Sequence, residues 1–397
     1  MSGIKSTTNL WTAKKWPYRP RPRPNELLTS YLIRIANGLE IKPISFLNAA
    51  WGSRQSLLDQ DLDNYAPNHV IALLGKGVGV EPDAVHAMTL FEFEGRLNET
   101  HIPIGRKAWI MPTTVASNNR KRPGMQFCPT CLARDERPYL RRTWRMAFMT
   151  CCIQHGCLLR DRCPYCDQPL HPHLSPSLRH CFRCGRDISK TVDNEKPRFE
   201  MIEQQRRFET ALEQGWAMLN HRPIYSHLYF CVIRRIAAMF VNGLRAKPFR
   251  EAVVNQLGGD DSEFEKPTKR QPIEYLGVAD RYRLFDLVER TMEDFPHRFV
   301  SACRKARLSR SHLIKDMPYV PFVYDEVAKE YLDERPYFPS EAEVMAAAAW
   351  LRRTQGRATF RDLKMICGES RAAIYQHMDY ERNPATPSRW RVRAFDR

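Results

Sequence analysis

Phe127–Cys131 reads F-C-P-T-C, and Arg162–Cys166 reads R-C-P-Y-C. Two copies of a Cys-Pro-x-Cys step in one chain ask for a common cause, and the spacing around them supplies it. Cys128-x2-Cys131 is followed, after twenty residues, by Cys152-x2-His155. Seven residues later comes Cys163-x2-Cys166, and fourteen after that Cys181-x2-Cys184. Four half-sites with two intervening residues each are the pattern of a closed tetrahedral zinc site, in which every position is a thiolate or an imidazole. Eight ligands make two structural ions. In sequential order the first takes Cys128, Cys131, Cys152 and His155, and the second Cys163, Cys166, Cys181 and Cys184. Spacing alone leaves an interleaved arrangement open. Cys151 competes with Cys152, but Cys152 keeps the x2 step to His155. Cys157 is left over, as a packed thiol.

Nine of the twelve cysteines lie between 128 and 184, and Cys231, Cys303 and Cys367 sit in apolar, helix-like surroundings. Disulfides do not suit the paired knuckle spacing or a reducing compartment. A zinc deaminase needs an H-x-E ahead of a P-C-x-x-C. His101 is followed by Ile102-Pro103, and no cysteine pair here is preceded by proline. With protein at all four positions no water is activated, so the metal's contribution is to folding.

Around this cluster the 397-residue chain is strongly basic, with a formal net charge of +17 and a pI near 9.5. Such a surplus points to a polyanionic partner, above all nucleic acid. From Arg106 to Arg162 twelve cations face three acids, a local +9. Trp109, Tyr139 and Trp144 interleave with them, a composition suited to phosphate backbones. Hydrophobic residues make up 43% of the chain, enough for packed cores. No run approaches a membrane span and the N-terminus lacks a signal's apolar region, so a cytoplasmic protein is expected.

Helical periodicity dominates the rest, and a mainly α fold is expected in six parts. Residues 1–24 form a basic arm ending in P-Y-R-P-R-P-R-P (Pro17–Pro24), which has to be extended. Residues 25–105 form a helical, helix-turn-helix-like domain, with apolar faces at Leu28, Tyr31, Leu32, Ile35 and Ala36 and again at Phe46, Leu47, Ala50 and Trp51. Residues 106–190 hold the double zinc module. Residues 191–257 return to helix (Phe199–Leu219, Tyr229–Leu244), 258–272 read as a linker, and 273–397 as a C-terminal helical domain.

Two further helix-turn-helix candidates lie in that last part. Phe299–Met317 has an apolar face of Val300, Cys303 and Leu308, Ser309 as a cap, then Leu313 and Ile314. Arg361–Met378 has Leu363, Ile366 and Cys367, a break at Gly368, and a second helix capped by Ser370. The cations set to meet nucleic acid are Arg141, Arg142 and Arg145 in the zinc module, Arg304, Lys305, Arg307 and Arg310 in the first candidate, and Arg361, Lys364 and Arg371 in the second.

Taken together, F-C-P-T-C-L (Phe127–Leu132), Y-L-R-R-T-W-R-M (Tyr139–Met146), C-x2-H-x3-L (Cys152–Leu159), C-P-Y-C (Cys163–Cys166) and C-F-R-C-G (Cys181–Gly185) resemble the TniQ family. So does P-N-E-L-L-T-S-Y-L-I-R-I-A-N (Pro24–Asn37), with its acid, Ser-aromatic pair and Arg-x-Ala. The resemblance covers residues 20–190. It implies a target-site selector of a Tn7-like or mercury-resistance-type transposon that neither cuts nor joins DNA. Such proteins mark a site and recruit an AAA+ regulator, which recruits the transposase. Some bind a CRISPR effector complex, often as a head-to-tail homodimer; longer, TnsD-like members bind a specific attachment sequence directly. The resemblance carries the eight zinc ligands onto the positions named above.

The expected function is therefore a non-enzymatic adaptor bridging a target, CRISPR effector or DNA, to an AAA+ regulator. The alternatives are a sequence-specific TnsD-like selector working without CRISPR and, from another class, a nuclease or transposase, for which no ordered carboxylate trio is seen.

Overall fold

The computed structural model describes residues 15–52, 57, 61–101, 107–112, 124–190, 196–262, 272–333, 339–368 and 374. The fold is mainly helical, as the periodicity predicts, and the described residues also hold two short hairpins. The chain divides into two units, Met1–Leu332 and Asp333–Arg397.

The first unit begins with four helices: α1 (Leu28–Gly38), α2 (Pro43–Trp51), α3 (Asn68–Val78) and α4 (Pro82–His86). Their apolar faces close a small core of Leu28, Tyr31, Leu32, Ile35, Phe46, Leu47, Val70, Leu74 and Val85. The cysteine segment follows, with α5 (Pro129–Arg134) and a hairpin of β1 (Cys151–Cys152) and β2 (Cys157–Leu158). Then come α6 (Phe199–Gln214), α7 (Ser226–Val241), α8 (Ala246–Leu257), α9 (Val278–Met292), α10 (His297–Lys305), α11 (Arg310–Ile314) and α12 (Phe322–Leu332). One continuous core joins Phe127, Trp144, Phe148 and the cysteines to Phe208, Phe230, Phe285 and Phe299 of these helices. Trp109, fully buried, packs on Phe148, Phe230 and Phe285.

One helix is shorter than its sequence suggests. Periodicity extends a helix from Phe199 to Leu219, but α6 stops at Gln214, where Gly215 takes a left-handed φ of 80°. Trp216–Leu219 is instead β3, paired antiparallel with β4 (Arg222–Tyr225). Asn220 and His221 both carry positive φ, the signature of a tight two-residue hairpin turn. Asparagine tolerates that conformation, and the short polar Asn-His pair is the sequence signal that helical periodicity hides.

Residues 15–24 lie outside any helix or strand, and they are held in place. A proline-rich stretch has few N–H groups, so it can be gripped mainly through carbonyls. Tyr31 Oη donates to the Pro20 carbonyl at 2.7 Å and Arg34 Nη2 to the Arg21 carbonyl at 2.9 Å. At the start of the arm Trp16 is buried edge-on between Phe46 and Trp51. The Trp16 backbone N–H bonds to the Gly77 carbonyl, and a Cβ on Gly77 would lie 2.2 Å from the indole, so only glycine admits this approach.

In the second unit, α13 (Glu341–Gln355) and α14 (Phe360–Cys367) pack through Val344, Ala347, Ala348, Leu351, Leu363 and Cys367. Ser340 and Glu343 form a reciprocal capping box on α13, and Thr359 caps α14. Ile366, expected on the buried face, is half exposed, and Met365 is more so. At position 366 the helix has turned its side chain away from α13. Gly368 ends α14 with a positive φ, as the break requires. The helix expected after it, with Ser370 and Arg371, lies outside the described residues, except that Ile374 is buried. The 1–14 part of the arm and 263–271 of the linker also lie outside them.

Candidate metal centres and basic surface

The two cysteine clusters are built from different local parts. In the first, Cys128 is the N-cap of α5 and Cys131 sits in its first turn. The Cys131 N–H donates to Cys128 Sγ at 3.3 Å, which turns both sulfurs the same way. The other half is the β1–β2 hairpin. Gly156, at a φ of 56°, lets its N–H reach the Cys152 carbonyl and closes the turn that carries His155. His155 Nδ1 lies 3.6 Å from Cys128 Sγ, 3.2 Å from Cys131 Sγ and 3.5 Å from Cys152 Sγ; Cys131 and Cys152 Sγ are 3.7 Å apart.

The second cluster is two matched knuckles. Cys163–Cys166 and Cys181–Cys184 each turn back so that the residue after the second cysteine bonds the first: Asp167 N–H to the Cys163 carbonyl, Gly185 N–H to the Cys181 carbonyl. Cys163 and Cys184 Sγ are 3.6 Å apart, and Cys166 and Cys181 Sγ 3.7 Å. Within each group of four, all donor atoms lie within 4.8 Å of one another, in the sequential pairing. A Zn–S bond of about 2.3 Å implies tetrahedral edges of about 3.8 Å, so the donors already stand near the corners zinc needs. All twelve cysteines are free thiols. Both clusters fit metal, and zinc is the ion their donors suit.

Cys157 stands outside the group of four and is packed against the core, as spacing suggests. Its Sγ is 3.5 Å from Cys128 Sγ, because strand register sets it directly opposite Cys152. The thiols share protons: hydrogen bonds from Cys131 and Cys157 hold Cys128 down to about 7, and donation pushes Cys157 up.

The clusters also differ in setting. Cys128, Cys131 and Cys152 are buried in the main core, and Thr150 N–H ties the hairpin to Gln205 of α6 at 2.8 Å. In the second cluster Cys163 and Cys181 are buried, but Cys166 is half-buried and Cys184 exposed. Arg179 fastens this outer cluster to the inner one. Its guanidinium donates to the carbonyls of Leu132, Ala133 and Asp135, which end α5.

The two stretches carrying the N-terminal resemblance meet in space. Glu26 and Arg141 form an antiparallel bridge, extended by Leu27 N–H to the Leu140 carbonyl and Arg142 N–H to the Asn25 carbonyl. Buried Glu26 binds Arg34 Nε at 3.1 Å and accepts from Ser30 Oγ and the Arg23 N–H. Ser30 Oγ in turn accepts from Leu140 N–H. The acid, the serine and the arginine thus clasp arm, α1 and cysteine segment together. Burial lifts the Glu26 carboxyl to about 6, against the opposing pull of Arg34.

The cations named from sequence divide sharply. Arg145 is fully buried, bound by Asp61 at 2.6 Å and Asp63 at 3.1 Å, so none of it faces a phosphate. Arg142 donates to the Ala87 carbonyl and lies over Phe93; Arg141 pairs with Asp135 and stacks on Tyr139 and Trp144. Arg310 pairs with Asp325 at 2.8 Å. Arg304 is exposed, though it also donates to the Tyr331 carbonyl; Lys305, Arg307 and Arg361 are exposed and Lys364 half-buried. Arg371 lies outside the described residues. In the 299–317 candidate, α10 and a capped α11 are present, but α11 has only five residues. Exposed cations that sequence reasoning did not single out flank the outer cysteines in sequence, Arg183, Arg186 and Lys190, with Arg134 and Arg137 near the inner ones. Their flanking of knuckle cysteines was the available signal.

Among the described residues no helix is long and apolar enough to cross a membrane. The TniQ family model matches residues 17–159, so this stretch of the chain is similar to a TniQ domain. That span holds the arm, the glutamate clasp and the inner cluster. No curated protein matches the chain.

Proposed function

Because residues 17–159 are similar to a TniQ domain, which implies a target-selection protein of Tn7-like transposition, we propose that this chain is a non-catalytic adaptor joining a chosen target to an AAA+ transposition regulator. Family members of this kind work with DNA and with other transposition proteins rather than by chemistry of their own. In this reading two zinc ions, on the eight donors described, set the shape of the central segment. The exposed cations of the arm (Arg19, Arg21, Arg23), of the outer knuckles and of α10 meet DNA phosphates, while the helical faces meet protein.

The observation that carries the proposal is the match together with the placement of charge. The arginines consumed inside the protein (Arg34, Arg145, Arg281) are locked to carboxylates, carbonyls and a buried glutamine. Those facing outward are left for a polyanion. The adaptor takes its target from a CRISPR effector complex or from DNA; the alternative is a TnsD-like selector that reads DNA directly without CRISPR.

Binding of the purified chain to random and attachment-site duplexes separates the two. Equal affinities with a steep salt dependence fit the adaptor. Preference of about 10³-fold or more for one sequence favours direct reading. A reconstituted transposition reaction that proceeds at the same targeted site without this chain rejects both.

A further inference from the structure

Helix α7 gives one side to the core and turns the other toward a hollow. Phe230, Val232, Ile233, Ile236, Ala237 and Phe240 are buried. Half-buried His227, Cys231, Arg234, Arg235 and Ala238 step by four, three, one and three, the spacing of a single helical stripe. That stripe, with Asn242 just past its end, lines a cavity of about 410 Å³. Cavities that hold small ligands measure about 300–1,000 Å³ and combine apolar walls with a few polar groups. Here Leu97, Ile273, Met317 and Pro318 supply the apolar wall, and Asn98 and Asn242 the neutral polar groups.

Arg234, Arg235 and His227 share the lining with one acid, the exposed Asp316. Arg234 gives Nε and Nη2 to buried Glu274, at 2.7 and 3.2 Å, which leaves its Nη1 unbonded among the described residues. Arg235 is held by the His312 and Leu313 carbonyls. His227 Nδ1 is buried, yet among the described residues it too meets no hydrogen-bond partner. A buried ring nitrogen in that state is uncommon. Tyr225, stacked at 5.9 Å, covers one face of the ring.

We propose that this cavity is a nucleotide site, with the phosphate on the cationic stripe of α7 and the base against the apolar wall. Guanidinium and imidazole N–H groups suit a phosphate, which offers several acceptor oxygens at once. The two asparagine amides each carry donors and an acceptor, the functions that a base edge presents. A simple carboxylic acid with an aliphatic body would leave those amides unused. A free mononucleotide and the phosphorylated end of a DNA strand share this chemistry. The cavity shares no residue with either cysteine cluster, and its occupancy does not depend on the adaptor reading.

Calorimetry of the full chain with dAMP tests this, beside a short single strand bearing a 5′-phosphate and the same strand with a 5′-hydroxyl. If free nucleotide is the occupant, dAMP should bind in equal proportion to the chain. If a strand end is the occupant, the phosphorylated strand should bind about tenfold tighter than the hydroxyl strand, or more. Ala238→Trp fills the hollow and alters no charged group. It should weaken whichever of these binds by about tenfold or more. His227→Leu removes a single ring donor, should weaken binding about tenfold, and keeps the test open should the tryptophan variant fail to fold. The proposal is overturned if dAMP fails to bind and the two strands bind equally, or if folded His227→Leu binds as tightly as wild type. Saturable binding of a Leu-Glu repeat peptide that these variants abolish, with no nucleotide bound, would also overturn it and make the cavity a peptide site.

Discussion

The two cysteine clusters use nearly the same sequence step and end in different situations. The inner one is sunk in the core beside Phe148 and α6; the outer one stands half in solvent and is fastened by Arg179 to the end of α5. The same division runs through the charges. Glu26, Arg34, Arg145 and Asp63 are paired inside, while Arg19, Arg21, Arg183 and Arg186 face out. The interior set holds the protein together; in the proposed function the outer set is what meets DNA. Loss of an interior group should therefore be read as loss of fold, and loss of an outer group as loss of contact.

The largest effect is expected at the inner site. Cys131→Ser removes a corner whose metal contributes on the order of 10 kcal/mol, comparable to the whole stability of a domain. Circular dichroism should show no cooperative unfolding of the native kind. A normal transition in this variant would break the division at its root. Cys184→Ala should do much less. Zinc should fall to one ion, with hydrogen exchange rising over residues 163–188 and the helical core still protected. If protection collapses throughout, the outer site is as structural as the inner one.

Arg19→Ala/Arg21→Ala/Arg23→Ala should leave thermal stability within about 0.5 kcal/mol, apart from the weak surface pair of Arg23 with Glu136. Its plot of log affinity for DNA against log salt should lose about three units of slope, one per phosphate contact. A fall in melting temperature without a change in slope would place these residues in the interior class. The smallest effect is a pH slope. Burial raises Glu26 from 4.5 to about 6, so the folded chain keeps a proton that the unfolded chain has already lost. The associated stabilisation is complete below about pH 4.5 and is lost as pH rises through 6. The stability difference between wild type and Glu26→Gln should change by about 1–2 kcal/mol across that window, measured by urea unfolding. A flat difference would mean that the carboxyl is better solvated than its place beneath the arm indicates.

Spacing made the eight metal donors readable, because a two-residue step is a local geometric requirement. Periodicity likewise located α1, α2, α7 and α9, since their buried faces repeat within one element. What escaped was set by partners distant in sequence. Nothing near Arg145 says that Asp61 and Asp63, more than eighty residues away, will consume its charge. Nothing near Pro20 says that Tyr31 and Arg34 will hold its strand down. The β3–β4 hairpin was hidden because Phe199–Leu219 is apolar at helical intervals and only Gly215 marks the stop.

The pinned arm has a geometric result of its own. An extended proline-rich backbone advances about 3 Å per residue, so alternate arginines recur about every 6 Å along a nearly straight edge. Tied down at Trp16, Pro20, Arg21 and Arg23, this stretch presents its arginines from a fixed backbone rather than from a loose thread. In the proposed function such a row would meet a sugar–phosphate chain through its charge and leave the bases unread.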